Sequence, residues 1–289
     1  MPTPPASDPH HEEFSLPLFV FTIVVSLGVL GGLLAWLAPG VWQAQLVAPA
    51  WKVAVAFVSV SLVLCFFEYF FHRYVLHTPA VPLLRYLYRQ HTLHHALTRI
   101  VRRPVPGGRG ILCVENKFAI EEVEQHEAAF FPWYAMVAFS VVMTPLLVLL
   151  HAVLPGFPWF LAGLAAIACS LTLYEVLHAI NHWPLQRWLP LITHRRWGWF
   201  WQPIYGFHLR HHAVIDCNES ISGFFGLPVA DWVFGTCVVP RTLYADGEAW
   251  SEEAFRSPRP HGLIRKLDAW AAAVVARRRG HDQSGEAGR

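Results

Sequence analysis

Charge is scarce in this chain. Only 15% of its 289 residues are Asp, Glu, Lys or Arg, against about a quarter in ordinary soluble domains, while 54% are hydrophobic and mean hydropathy is +0.35. That combination excludes both a water-soluble globule and an intrinsically disordered body. The net charge is only +2, and no dense Lys/Arg run falls in a nucleic-acid motif, so no nucleic acid partner is expected. Paired thiols are lacking too. Cys65, Cys113, Cys169, Cys217 and Cys237 are odd in number, scattered and without a CxxC pair, which excludes a disulfide framework or thiolate zinc site and predicts free thiols. The polar residues 1–14 hold no Lys or Arg, so the positive start of a cleaved secretory signal is missing and a disordered tail is expected.

What the chain has is long apolar runs. Four of them, about 16–37, 51–71, 130–154 and 157–180, meet the roughly 20 residues that a spanning helix needs. Short connections pair them as two hairpins joined by one long polar segment. In the first run Gly28 and Gly32 have GxxxG spacing, a contact pattern of membrane helices. Of 22 positive charges, only Lys52 falls in the two short connections; eight lie between His72 and Ala128, and thirteen after His182. By the bias of Lys and Arg toward the cytoplasm, both termini and both polar segments are expected there. Arg (19) far outnumbers Lys (3), which suggests a GC-rich bacterial genome, hence the bacterial inner membrane rather than the endoplasmic reticulum. After a body ending near residue 240, a segment 241–279 carries Leu263, Ile264, Leu267, Trp270, Ala271, Val274 and Val275 at helical spacing. It reads equally as a helix on the membrane surface or one packed on the cytoplasmic part; residues 280–289 read as a frayed tail.

The second abundance is histidine, 17 residues. Ten form four clusters: His72 and His77; His91, His94 and His95; His178 and His182; His208, His211 and His212. At this abundance an HxxHH pattern arises by chance about 0.06 times in such a length, when template matches are counted from composition; it occurs twice. Residues three and four apart share a helix face, so each HxxHH aims three imidazoles one way. His72 and His77, five apart, sit about 140° apart on an ideal helix and need a distorted turn to converge. Ten buried imidazoles without metal would leave ring nitrogens unpaired or repel one another when protonated. Imidazole suits iron, zinc and copper, and ten ligands suit two ions with five each. His10, His11, His126, His151, His261 and His281 read as ordinary single histidines. Each half of the chain also runs hairpin, acid, spaced His pair, HxxHH, which predicts a pseudo-twofold site. Glu68 and Glu175, four and three residues before a cluster histidine, and Asp216, four after His212, are placed to orient ring N–H groups and balance charge from behind the ligands; alternatively the two glutamates only mark helix ends.

His72-Arg-Tyr-Val-Leu-His77, His91 to His95, His178 to His182 and His208 to His212 together resemble the histidine boxes of the fatty acid hydroxylase / sterol desaturase superfamily of membrane-bound di-metal oxygenases. The likeness spans roughly Trp51 to Pro240, and Gly226-Leu-Pro-Val-Ala-Asp231-Trp-Val-Phe-Gly-Thr236 looks like that family's ending after its last box. The resemblance implies an all-α integral membrane protein whose four transmembrane helices carry a cytoplasmic helical cap with a histidine-rich di-metal site. It implies two iron ions (zinc as a substitute), O2 as co-substrate, and hydroxylation of a membrane lipid, with the Tyr174-Glu175-x-x-His178 context pointing to acyl chains or sphingolipids. This chain has no His-Pro-Gly-Gly haem motif, so a separate electron-transfer protein, cytochrome b5-like or a ferredoxin, with its reductase, is expected. Phe70, Phe71, Tyr74, Tyr174, Trp183 and Phe207 suit a substrate channel, or ordinary interface packing. The insertion 96–127, with its Pro104–Gly108 turn and acidic Glu121, Glu122 and Glu124, reads as a lid, a donor-docking surface or a solvated connector.

Other readings of the same residues are a desaturase, a sterol, hopanoid or carotenoid substrate, or a non-catalytic membrane metal binder. Ligands gathered at one side of the bilayer disfavour a transport path, which places them near mid-membrane. His126-Glu127 lacks the second histidine of HExxH, which disfavours a zinc protease.

Overall fold

The computed structural model describes residues 15–105, 109–117, 130–244 and 256–286. The expected polar tail, the tip of the Pro104–Gly108 turn, the acidic run at 121–124 and His126 lie outside the described residues. Four helices are long and apolar enough to cross a membrane, and apolar on all faces, as lipid contact requires. They are α1 (Leu16–Leu37), α3 (Ala50–Phe71) with its continuation to Leu76, α5 (Ala135–Val153) and α6 (Trp159–Asn181). A short helix α2 (Pro39–Leu46) fills the first connection. The third span begins at Ala135, later than residue 130. Pro132 disfavours helix in the residue before it, and the Phe131 N–H is already donated to Glu175 Oε1. Several hydroxyls inside these helices are satisfied locally: Ser140 donates to the Met136 carbonyl and Thr172 to that of Ala168, the back-bonding open to Ser and Thr in a helix, whereas the buried Ser61 hydroxyl has no hydrogen-bond partner among the described residues.

The bundle core lies between α3 and α6, where Ala56, Val60, Leu64, Ala162, Ala166, Ile167 and Leu171 are buried. Small residues at Ala162, Gly163 and Ala166 let the backbones approach. Helix α1 is peripheral: only Ile23 and Ser26 are buried on it, and a Cβ added at Gly28 or Gly32 would meet nothing within 4 Å, so the GxxxG pair seats no helix contact among the described residues. At one end of the bundle Lys52 Nζ donates to the Gly156 carbonyl (2.9 Å), and Gln45 Oε1 caps the first N–H groups of α6 at Phe160 and Leu161 (3.1 Å each). The two short connections therefore meet there, and the histidines lie at the other end.

That other end carries α4 (Arg85–Leu97), α7 (Leu185–Ile192), α8 (Gly198–Ala213), α9 (Val229–Phe234) and α10 (Gly262–Glu286). It is not all-α. Strands β1 (Thr98–Pro104) and β2 (Gly110–Asn116) form an antiparallel hairpin with Thr98 opposite Asn116. The apolar run Ile111-Leu-Cys-Val114 faces Trp188, Ile192 and Tyr205 in a small core, and Tyr205 Oη donates to the Leu112 carbonyl (2.9 Å). The surrounding arginines disguised this buried strand as a solvated loop. All five cysteines are free. Helix α10 packs on the protein: Ile264 and Ala271 are buried, Asp268 takes a two-pronged bond from Arg73 (2.8 Å each), and Arg278 donates to the carbonyls of Pro79 and Ala80. Leu263 and Trp270 stay exposed on its outer face. The helix also continues past Arg279 to Glu286; a single interior glycine such as Gly280 weakens a helix by only about 1 kcal/mol.

Candidate metal centre

The residues from His72 to Leu76 form a π-helical turn in which the His77 N–H bonds the His72 carbonyl (2.9 Å). This wider turn supplies the distortion that a five-residue spacing needs, and the two rings lie face to face with centroids 4.8 Å apart. On α4 and α8 the helical spacing turns each HxxHH inward, and His178 and His182 close the end of α6. All ten cluster histidines are buried or half-buried and lie together.

They divide into two groups whose ring nitrogens lie within 4.8 Å of one another, each able to hold a metal ion: His72, His77, His91 and His211; and His94, His178, His182 and His212. His95 Nε2 stands 3.2 Å from His91 Nε2 in the first group, and His208 Nε2 stands 3.0 Å from His182 Nε2 in the second. Counting these neighbours gives five and five. The middle histidine of each HxxHH is exchanged: His94, from the first half of the chain, joins the second half's group, and His211 does the reverse. The groups adjoin, with the His95 and His212 ring centroids 4.5 Å apart.

Proton accounting shows that a cation fits. His72 Nδ1 donates to the Glu219 carbonyl (2.6 Å), so its Nε2 is a lone pair. That atom lies 2.9 Å from His91 Nε2, which also lies 3.3 Å from His77 Nε2 and 3.2 Å from His95 Nε2. One nitrogen carries either a single proton or a single lone pair. Whichever tautomer His91 adopts, at most one of the three contacts can be a hydrogen bond, and a bound ion that accepts the lone pairs removes the conflict. The outward hydrogen bonds are of the kind that fix metal-binding tautomers. His211 Nδ1 donates to the Cys217 carbonyl (3.0 Å). Thr98 Oγ1 gives its own proton to the His95 carbonyl and accepts from His212 Nδ1 (3.0 Å), leaving His212 Nε2 buried and without a hydrogen-bond partner among the described residues. Burial, then the charge of neighbouring histidines, lowers His94 to about 3, and burial lowers His211 to about 4. His77, His91, His95, His208 and His212 are held well below the ordinary histidine range for the same reasons. These seven rings are thus held toward the neutral state, the one that ligates metal. Imidazole alone fits several metals.

The three carboxylates named from the sequence make contacts beyond the rings. Glu68 accepts from Ser222 Oγ and from the N–H groups of Ser222 and Gly223, fastening the loop after α8 to α3. Glu175 fastens residue 131. Asp216 accepts from Ser257 Oγ (2.9 Å) through its side chain, and only its carbonyl meets Arg73. A carboxylate that reaches the histidines is Glu219, unmarked in the sequence reading: its Oε2 lies 3.8 Å from His77 Nε2 and 4.0 Å from His72 Nδ1, and its Oε1 is 3.0 Å from Arg73. Burial pushes its carboxyl well above the usual range, with Arg73 working against that. The loop carrying it is clamped from every side. Asn218, in the left-handed region (φ 59°), donates to the Phe207 and Val238 carbonyls (2.7 Å each), and Asp231 accepts the N–H groups of Glu219 and Ser220. The visible signal was a polar run, Asn218 to Ser222, directly after a ligand box; the structure buries all of it.

Two cavities open on the histidines. The outer, about 260 Å³, is lined by Tyr86, Leu87, Phe130, Trp133, Tyr134 and, from the two groups, His91 and His178. The inner, about 40 Å³, runs among the spans between Leu64, Phe67, Phe71, Phe139, Ile167 and Leu171, with His72 at its wall. Leu76, Phe131 and Tyr174 line both. Of the aromatics expected in a channel, Tyr174 and Phe71 line these cavities. Phe70 instead packs on Tyr69 and Phe234, Tyr74 donates to Asp268 (2.9 Å), and Trp183 packs near Trp188. Helix α10 and α9 claim that face of α3, which the span pattern alone could not reveal. Phe207 meets the Asn218 amide through its carbonyl.

Family models, curated proteins and solved structures were compared with the chain. None of the three gave a match. The functional reading therefore stands on the residues and their geometry.

Proposed function

We propose that this protein is an O2-dependent di-iron oxidoreductase of the membrane that hydroxylates a C–H bond of a lipid, with a fatty acyl or sphingolipid chain as substrate. The observation that carries the reading is the conjunction of two histidine groups with two cavities, one of which runs between helices able to span a bilayer. The resemblance in the four histidine boxes supports the same reading. Iron bound at these residues would supply O2 activation, chemistry that side chains alone lack. The chain's own contributions are to hold, orient and exclude. His72, His77, His91, His95 and His211 would hold one ion, and His94, His178, His182, His208 and His212 the other. Carbonyls of Glu219 and Cys217 and the Thr98 hydroxyl fix ring tautomers. Phe71, Phe131, Tyr174 and Leu76 wall the cavities and keep water from the reacting bond. Glu175 holds the Phe131 wall in place through its backbone. Electrons would come from a separate electron-transfer protein and its reductase, and the bacterial inner membrane is the proposed location.

A non-catalytic metal binder would have no need of the cavity on which both groups open. The test is mass spectrometry of total lipids from cells with and without the protein, supplied with a donor and grown under 18O2, with His94→Ala as control. A lipid that gains labelled oxygen only with the wild type supports the proposal; loss of two hydrogens without label moves it to desaturation. An iron-loaded protein that changes no lipid, or a fully active His94→Ala variant, refutes it.

A further inference from the structure

Around Arg73 the charges do not balance. Its guanidinium is 8% exposed and lies between two carboxylates: Asp268 on α10, bound through Nε and Nη2 at 2.8 Å, and Glu219, whose Oε1 is 3.0 Å from Nη1. One positive charge thus faces two acidic groups. Asp268 is a third exposed and shares its charge with water, whereas Glu219 is completely buried. The remaining oxygen of Glu219, Oε2, has no hydrogen-bond partner among the described residues, and a buried carboxylate oxygen left so is costly. It points toward the first histidine group, 3.8 Å from His77 Nε2. The His77 ring is itself part of the lone-pair conflict centred on His91. A divalent cation among these rings would meet both deficits, the lone pairs and the negative charge.

We infer that Glu219 is the charge-balancing carboxylate of the first histidine group, making that group's hold on a divalent cation depend on a residue outside the histidine boxes. The inference rests on the di-metal reading above. Arg73 acts as the positioning residue: it grips Oε1 and so leaves Oε2 turned to the site. Through Asp268 the same guanidinium ties α10 to the centre, which gives the C-terminal helix a role in the site without any ligand of its own.

The experiment is a titration of chelator-treated full-length protein in detergent micelles with Co2+, followed by its visible absorption and by competition with a chelator of known affinity. Wild type should take two equivalents. Glu219→Gln keeps the size and removes the charge; it should weaken one equivalent about 10- to 100-fold, the range for carboxylates that support metal ligands, and leave the other unchanged. Glu219→Asp keeps the charge but withdraws it, and should weaken the same equivalent by less. Tyr74→Phe removes the other bond to Asp268 Oδ1 and should keep both equivalents, separating local charge from general loosening. Unchanged binding in Glu219→Gln, or equal weakening of both equivalents, overturns the inference while the di-metal reading stands. If Glu219→Gln fails to fold, unchanged binding in Glu219→Asp overturns it. A wild type that takes no Co2+ overturns both.

Discussion

Acid should destabilise the metal-free protein well before it titrates ordinary carboxylates. His94 falls from 6.5 to about 3 and His211 from 6.5 to about 4 on folding. Between those limits the unfolded chain binds more protons than the folded one, so stability falls as pH drops below about 6.5 and stops falling only near the folded values. At pH 5 each group is about 1.5 units below 6.5, and at about 1.36 kcal/mol per unit each contributes about 2 kcal/mol of lost stability, roughly 4 kcal/mol for the pair. His77, His91, His95, His208 and His212 shift the same way. Glu219 and Asp231 are raised by burial, so they gain stability on acidification and oppose the histidines. Five further histidines against two carboxyls leave the sign with the histidines. At about 2 °C per kcal/mol for a chain of this size, the chelator-treated protein should melt at least about 8 °C lower at pH 5 than at pH 7.5. Tryptophan fluorescence during heating in detergent at the two pH values measures it, and a melting temperature at pH 5 equal to or above that at pH 7.5 would refute the account of the cluster as buried neutral imidazoles.

Three substitutions extend the argument. Thr98→Val leaves the His212 Nδ1–H without its acceptor; metal affinity at one of two equivalents should fall about 10-fold or more, read by the same Co2+ titration, with apoprotein stability lower by about 1–3 kcal/mol. Gly223→Ala puts a Cβ 2.2 Å from the Leu227 carbonyl oxygen at a residue with φ +50°, in the loop that Glu68 fastens. Its melting curve should show a loss of more than about 2 kcal/mol, and a wild-type curve would mean that the loop relaxes freely. Ile167→Trp fills the inner cavity among the spans. It should abolish turnover of the lipid found by the 18O2 experiment while both metal equivalents remain, and unimpaired turnover would exclude the inner cavity from the substrate path.

The four helices able to span a bilayer were legible because such runs leave the chain little freedom: four apolar runs that hold only Lys52, Glu68 and Glu175 as charged residues can do little else. Their ends were less so, since Pro132 and a backbone N–H captured by Glu175 decide where α5 begins, and that capture is a tertiary event. The β1–β2 hairpin was hidden for a different reason. Its buried face holds only a few residues, Ile111 to Val114, and it is buried by α7 and α8, which come some seventy residues later. A short apolar run among arginines carries no periodicity that separates a strand from a connector.

At the candidate site the histidines could be read from spacing alone because three imidazoles on one helix face are a local property. Their distribution between two groups could not. The outer histidines of each HxxHH stay with their own half while the middle one crosses, so neither group is complete within one half of the chain. Each group needs one imidazole whose position is set by the other half's helix, α4 for His94 and α8 for His211. Glu219 was illegible on the same ground: the polar run around it names no partner, and its relation to His77 exists only once Asp231, Asn218 and Glu68 have fastened its loop against α3. Metal binding would therefore report on the docking of the two halves, since a loss of register between α4 and α8 removes a ligand from both groups at once.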